Sequence, residues 1–169
     1  MKILVSHEEI VEIAKKMGEE ITKKYAGSEI VLVCVLKGAC PFHSELMKHI
    51  NLDMLADYIQ VKSYEGRETS GNIVIKKDLD YDISGKHVVV VEDIVDSGLT
   101  LSTLKAELEK RNPASLAFAT LLNKPSRRKV EFEPDFIGKT IDNLFVYGFG
   151  LDLDEKCRNL KDIYVVENN

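Results

Sequence analysis

At 169 residues, 44% of them hydrophobic, the sequence has the length of one domain and enough apolar material to bury a core. Lys and Arg number 23 against 28 Asp and Glu, a net charge of −5 that gives no global electrostatic reason to bind nucleic acid or an anionic membrane. Any anion site must therefore be local.

In chain order, Ser6 followed by Glu9 has the spacing of a capping box, ahead of a helical apolar face at Ile10, Ile13, Ala14, Met17 and Ile21 that stops near Gly27. EIVLVCVL (29–36) is apolar on both alternating faces, as a central parallel strand is. It ends in Lys37-Gly38-Ala39 before Pro41, a good first residue for a short helix to about Ile50. MLADYIQVKSY and NIVIKKDL read as the next strands, joined by EGRETSG (65–71), polar and suited to a mobile loop. HVVVV is a second fully apolar strand, and Thr100 to Arg111 has helical spacing at Leu101, Leu104 and Leu108 before Asn112-Pro113. SLAFATLL (115–122) is another buried strand, and short strands are expected in LFVYGF and DIYVVE.

This alternation predicts an α/β fold: an open, mostly parallel twisted sheet with helices on both faces. No repeat, low-complexity tract or Pro/Gly/Ser-rich linker interrupts it, so 1–169 reads as one continuous domain. Cys34, Cys40 and Cys157 show no C-x-x-C spacing and read as reduced, buried small hydrophobes. MKILVSHEE lacks a signal-peptide core and no apolar run approaches the ~18 residues of a membrane span, so a soluble, cytoplasmic protein with no membrane partner is expected.

The stretch VVVVEDIVDSGLTL (88–101) carries the chemistry. The Asp96-Ser97-Gly98-Leu99-Thr100 loop opens a helix whose first N–H groups lack intrahelical partners; with the Ser97 and Thr100 hydroxyls and the turn allowed by Gly98, it suits a monophosphate. Glu92 and Asp93 would repel phosphate but accept hydrogen bonds from vicinal hydroxyls or support a hydrated divalent cation. Phosphate beside a diol means a ribose 5-phosphate. Ligands of open α/β sheets sit outside the carboxyl ends of the strands, so Lys37, the Glu92-Asp93 pair and Lys124 should converge on one crevice.

With those residues in place, the sequence resembles the type I phosphoribosyltransferases, and their hypoxanthine-guanine branch in particular. The likeness runs through VLKGA (35–39), Ser63-Tyr64, VVVVEDIVDSGLTL, LLNK (121–124) and FVYGFGLDLDEKCRNL (145–160), nearly the whole chain. It implies a small hood formed by the N- and C-terminal segments over the sheet. It implies magnesium-dependent transfer of a phosphoribosyl group from phosphoribosyl pyrophosphate to N9 of a 6-oxopurine, by a homodimer or homotetramer that binds no nucleic acid. By resemblance, Glu92 and Asp93 hold the ribose, the 96–100 loop holds the 5-phosphate, and Asp96 is the acid/base residue facing N7. Lys37, Gly38 and Arg158 would contact pyrophosphate. Lys124, Phe145, Val146, Leu151 and Asp152 would form the purine side, Asp152 joining Glu92 and Asp93 at the metal. Ser63 and Tyr64 would open a lid, and the Leu36–Lys37 peptide can be cis.

Rival readings are weaker. There is no G-x-x-x-x-G-K-[ST] for a P-loop nucleotidase, and a phospho-acceptor receiver domain would not need the Ser-Gly-Leu-Thr cradle. A phosphoribosyl-pyrophosphate-sensing regulator that binds nucleic acid has support only from Lys124, Arg127, Arg128 and Lys129. At net −5 these read as a solvated turn with Lys124 in the site.

Overall fold

The computed structural model describes residues 1–63 and 72–167, so Tyr64 and the loop to Gly71 lie outside the described residues. In chain order the elements are β1 (Lys2–Val5), α1 (His7–Lys24), β2 (Ile30–Val35), α2 (Cys40–Met47), β3 (Met54–Ser63), β4 (Ile73–Lys77), β5 (His87–Val95), α3 (Leu99–Glu109), β6 (Ser115–Asn123), β7 (Phe136–Thr140), β8 (Val146–Tyr147) and β9 (Ile163–Val165). A 3-10 turn covers Pro125–Arg127. No helix among the described residues is long and apolar enough to cross a membrane.

The main sheet has the order β4-β3-β2-β5-β6-β7, parallel throughout except for the β3–β4 hairpin at its edge. Side chains alternate between its faces. Ile30 and Leu32 of β2, with Val89 and Val91 of β5, pack under α1 and α2; Val31, Val33, Val88 and Val90 pack under α3. Both faces are covered, which is why these strands carry continuous apolar runs. Full burial of each such side chain is worth roughly 1.5–3 kcal/mol relative to exposure, so the two layers hold the sheet rigidly beneath its loops.

A second sheet, β1-β9-β8, is antiparallel and joins the two ends of the described chain: Lys2 pairs with Val165 and Val146 with Val165 on its other side. This is the hood. Sequence periodicity alone misses β1, and it misses β7, where Pro134 and Gly138 break the pattern. β7 forms because β6 offers a free edge, pairing Ala119 with Phe136 and Asn123 with Thr140.

Local expectations need three corrections. Ser6 caps α1 through its hydroxyl, which accepts the Glu9 N–H at 3.2 Å, but the Glu9 carboxylate pairs with Lys139 Nζ at 2.5 Å, so the capping box is not reciprocal. Of the cysteines only Cys34 is buried; Cys40 is exposed and Cys157 intermediate. Glu92 and Asp93 lie within β5 rather than after it.

Candidate active site

β5 outruns β2. The last pair between them is Cys34 with Val91, whereas β5 continues to Val95 on β6 alone, pairing Glu92 with Thr120, Ile94 with Leu122 and Val95 with Asn123. Where β2 turns away, a cavity of about 310 Å³ opens at the carboxyl ends of the strands. It is lined by Lys37 and Gly38 from the β2–α2 loop, by Glu92 to Gly98, by Thr100 and Leu101 at the start of α3, and by Arg158. This is the crevice position expected of an open α/β sheet.

The acid pair is held under electrostatic tension. Asp93 N–H donates to Glu92 Oε1 (3.0 Å) and Ile94 N–H to Asp93 Oδ1 (2.7 Å). Burial, and then the neighbouring Asp93 charge, push the Glu92 carboxyl well above the usual carboxylate range. Burial also raises Asp93, opposed by hydrogen bonds and by the charge of Arg158. Such a pair favours a ligand that brings hydroxyl donors or positive charge.

The β2–α2 loop meets this pair at Gly38, where a Cβ would overlap the Asp93 carboxylate. The Leu36–Lys37 peptide is cis. Lys37 Nζ is mostly exposed, 3.8 Å from Glu155 Oε2. Arg158 enters from the hood side: Nη1 donates to the Gly150 carbonyl at 2.7 Å, Nη2 stands 3.5 Å from Asp152 Oδ1, and buried Nε has no partner among the described residues.

Gly98 is the N-cap of α3 at φ 80°, a conformation glycine accepts without a Cβ penalty, and it supplies no side-chain cap. Leu99 is the first residue of α3, and its N–H donates to Ser97 Oγ at 3.3 Å. Thr100 Oγ1 lies 3.0 Å from Ser63 Oγ at the end of β3. Asp96 does not cap the helix; its Oδ1 receives Arg127 Nε at 3.0 Å, both side chains about half exposed. Arg128 differs more sharply from the solvated turn suggested by the sequence: its side chain is only 11% exposed and turns inward onto the Asp96 and Phe132 carbonyls.

The structure thus gathers Lys37, Gly38, Glu92, Asp93, Asp96, Ser97, Gly98, Thr100 and Arg158 around one cavity. Lys124, Phe145, Val146, Leu151 and Asp152 do not line it. Lys124 is buried at the end of β6, its N–H donating to the Val95 carbonyl at 3.0 Å. Phe145 is 62% exposed, while Val146 and Leu151 are buried in the hood. The hood touches the β2–α2 loop through Gly150, where a Cβ would overlap the Gly38 carbonyl. Asp152 Oδ2 accepts the Glu155 N–H (3.0 Å), and no three His, Cys, Asp or Glu side chains converge among the described residues.

The model of the phosphoribosyl transferase domain family matches residues 1–154. The hypoxanthine-guanine phosphoribosyltransferase of Streptococcus pneumoniae is 48% identical over 167 residues, covering 98% of this chain and 93% of its own. That of Bacillus subtilis is 43% identical over 168 residues, with the same coverage. A crystal structure of a hypoxanthine-guanine phosphoribosyltransferase from Bacillus anthracis matches with a TM-score of 0.96 at 42% identity, over 99% of both chains. Motifs, fold and relatives agree, and the chain belongs to the phosphoribosyltransferase family, in its hypoxanthine-guanine branch.

Proposed function

We propose that this enzyme transfers the 5-phosphoribosyl group of phosphoribosyl pyrophosphate to N9 of a 6-oxopurine, hypoxanthine or guanine and by extension xanthine, giving the nucleoside 5′-monophosphate and pyrophosphate. One observation carries the reading: a half-buried acid pair and a hydroxyl-bearing helix start share one cavity with Lys37 and Arg158. Acids accept the ribose hydroxyls, Ser97 to Thr100 receive the 5-phosphate, and Lys37, Gly38 and Arg158 receive the leaving pyrophosphate.

In the transfer the bond from C1 of the ribose to pyrophosphate oxygen breaks and the N9–C1 bond forms, through an oxocarbenium-like sugar. Asp96, facing N7, manages the ring proton, a placement that contributes ~10²–10⁴-fold for a general acid or base. Phe145, exposed at the hood, stacks on the purine; Lys124 donates to the 6-oxo group, with Val146 and Leu151 completing that side. Ser63 Oγ, 3.0 Å from Thr100 Oγ1, ties the end of β3 to the phosphate loop. The donor set fits magnesium, which takes one or two carboxylates together with substrate phosphates and water. Glu92 and Asp93 would hold it, with Asp152 on the Arg158 side, and it would neutralise charge on the departing pyrophosphate. The nucleic-acid reading loses its footing, since Arg127 and Arg128 are engaged with Asp96 and backbone carbonyls.

A base panel tests this: hypoxanthine, guanine, xanthine, adenine, uracil and orotate, each with phosphoribosyl pyrophosphate and magnesium. Turnover is expected with 6-oxopurines, and a donor built to meet a carbonyl should disfavour adenine by ~10⁴–10⁵. Equal turnover of adenine, or of a pyrimidine, would overturn the assignment.

A further inference from the structure

In the basic turn after β6, Arg128 has no part in the transfer reaction. It sits behind the 96–100 loop, on the side away from the cavity. Its Nε donates to the Phe132 carbonyl (2.8 Å), Nη1 to the carbonyls of Asp96 (2.8 Å) and, more weakly, Val95 (3.3 Å), and Nη2 to Asn123 Oδ1. Among the described residues the one carboxylate paired with it is Glu133, 3.5 Å from Nε and 65% exposed. The planar guanidinium fork is thus used mainly on backbone carbonyls and an amide oxygen, with only a long, solvent-exposed ion pair beside them. The neighbouring Lys129 N–H donates to the Ser97 carbonyl at 2.9 Å.

These contacts fix the direction of the loop's donors. A trans peptide is planar, so a carbonyl that points one way sends the N–H of the next residue the other way. With the Asp96 and Ser97 carbonyls turned onto the basic turn, the N–H groups of Ser97 and Gly98 face the opposite side, and both residues line the cavity. The loop packs closely on the basic turn at Gly98, where a Cβ would stand 3.2 Å from Arg128 Cδ and 3.2 Å from Phe132 Cβ.

We propose that Arg128 is a positioning residue that aims the backbone donors of the 5-phosphate loop, and so sets affinity for the phosphorylated sugar without touching it. The proposal rests on the reading of the 96–100 loop as the 5-phosphate site. A lysine keeps the charge but can satisfy only part of the fork, so Arg128→Lys isolates geometry from charge.

Steady-state kinetics of Arg128→Lys should show KM for phosphoribosyl pyrophosphate raised ~10-fold, the scale of one lost charge-assisted hydrogen bond. KM for the purine base should stay within about twofold. A general loosening of the fold would raise both together, and that result, or no change in either, overturns the proposal. If Arg128→Lys gives no cooperative melt, Asn123→Ala carries the test: it removes the Nη2 acceptor alone and should raise KM for phosphoribosyl pyrophosphate roughly threefold with the base unaffected; an unchanged ratio overturns it. If the wild-type protein turns over no base, the functional reading fails instead. Calorimetric binding of ribose 5-phosphate then decides Arg128: about tenfold weaker in Arg128→Lys supports it, and equal affinity overturns it.

Discussion

The β2–α2 and β5–α3 units share a plan. Each is a buried parallel strand, a short loop and a helix whose N-cap residue, Ala39 or Gly98, provides no side-chain cap. Neither helix carries an acid in its first turn, whereas α1, whose N-terminus is not among the cavity's lining residues, is capped by Ser6 and has Glu8 and Glu9 there. Helix starts left without internal acceptors are the ones available to an external anion. The two units differ in where the strand stops. β2 ends at Val35 and offers Lys37 and Gly38; β5 runs four residues past its last β2 partner and projects Glu92 and Asp93. The stagger sets the Lys37 cation and the close-packed Gly38 across from two acids, so one cavity has a cationic wall and an acidic one.

The largest way to break this contrast is at the β5–α3 loop. Asp96→Asn keeps the backbone and the hydroxyls but removes the proton acceptor, and kcat should fall ~10²–10⁴-fold while ribose 5-phosphate still binds. Near-normal turnover would take Asp96 out of the chemistry. Next comes the point where the two units touch. Gly38→Ala places a methyl against the Asp93 carboxylate, a side chain that can rotate aside, so the melting temperature should change little. A site carboxylate is displaced in doing so, and kcat/KM for phosphoribosyl pyrophosphate should drop by about 10²-fold. A variant that loses stability but not specificity for its substrate would contradict this.

The smallest effect sharpens the electrostatic half. In the folded protein the Glu92 carboxyl is raised above its unfolded value by burial and by Asp93. The folded state therefore holds its proton more tightly, and ionising Glu92 costs stability as pH rises from the ordinary carboxylate range, near ~4.3, through the raised folded value. The cost is complete above that value and absent below the ordinary range. Without metal or ligand, Glu92→Gln should melt roughly 2–4 °C higher than the wild type at pH 8 and converge with it near pH 4.5, by calorimetry. A variant less stable than the wild type at pH 8 would mean that the acid pair stabilises the fold. Stability gained with activity lost is the expected mark of a site kept against its own folding preference.

Much of this was readable before folding. The apolar strands 30–35, 87–91 and 115–122, the helix faces at Ile10 to Ile21 and Leu101 to Leu108, and the acid-loop-hydroxyl order of 92–100 are local patterns, set by side-chain period and turn chemistry within a few residues. The proposed purine-side roles of Lys124 and the 145–152 strip rest on family resemblance, because these residues carry no spacing signature of their own. What the chain's order could not decide depends on partners far along it. β7 exists because β6 has a free edge, β1 because β9 returns from the far end of the chain to pair with it, and β5 is longer than its apolar run because β6 continues where β2 does not. Arg128 shows the same dependence most plainly. Beside Arg127 and Lys129 it looks like surface charge, and only tertiary packing against the Asp96 carbonyl, 32 residues away, buries it. Periodicity acts between neighbours, so sequence determines which segments form and which chemistry each carries; the strand ends and long-range carbonyl contacts that aim that chemistry are settled when the sheet assembles.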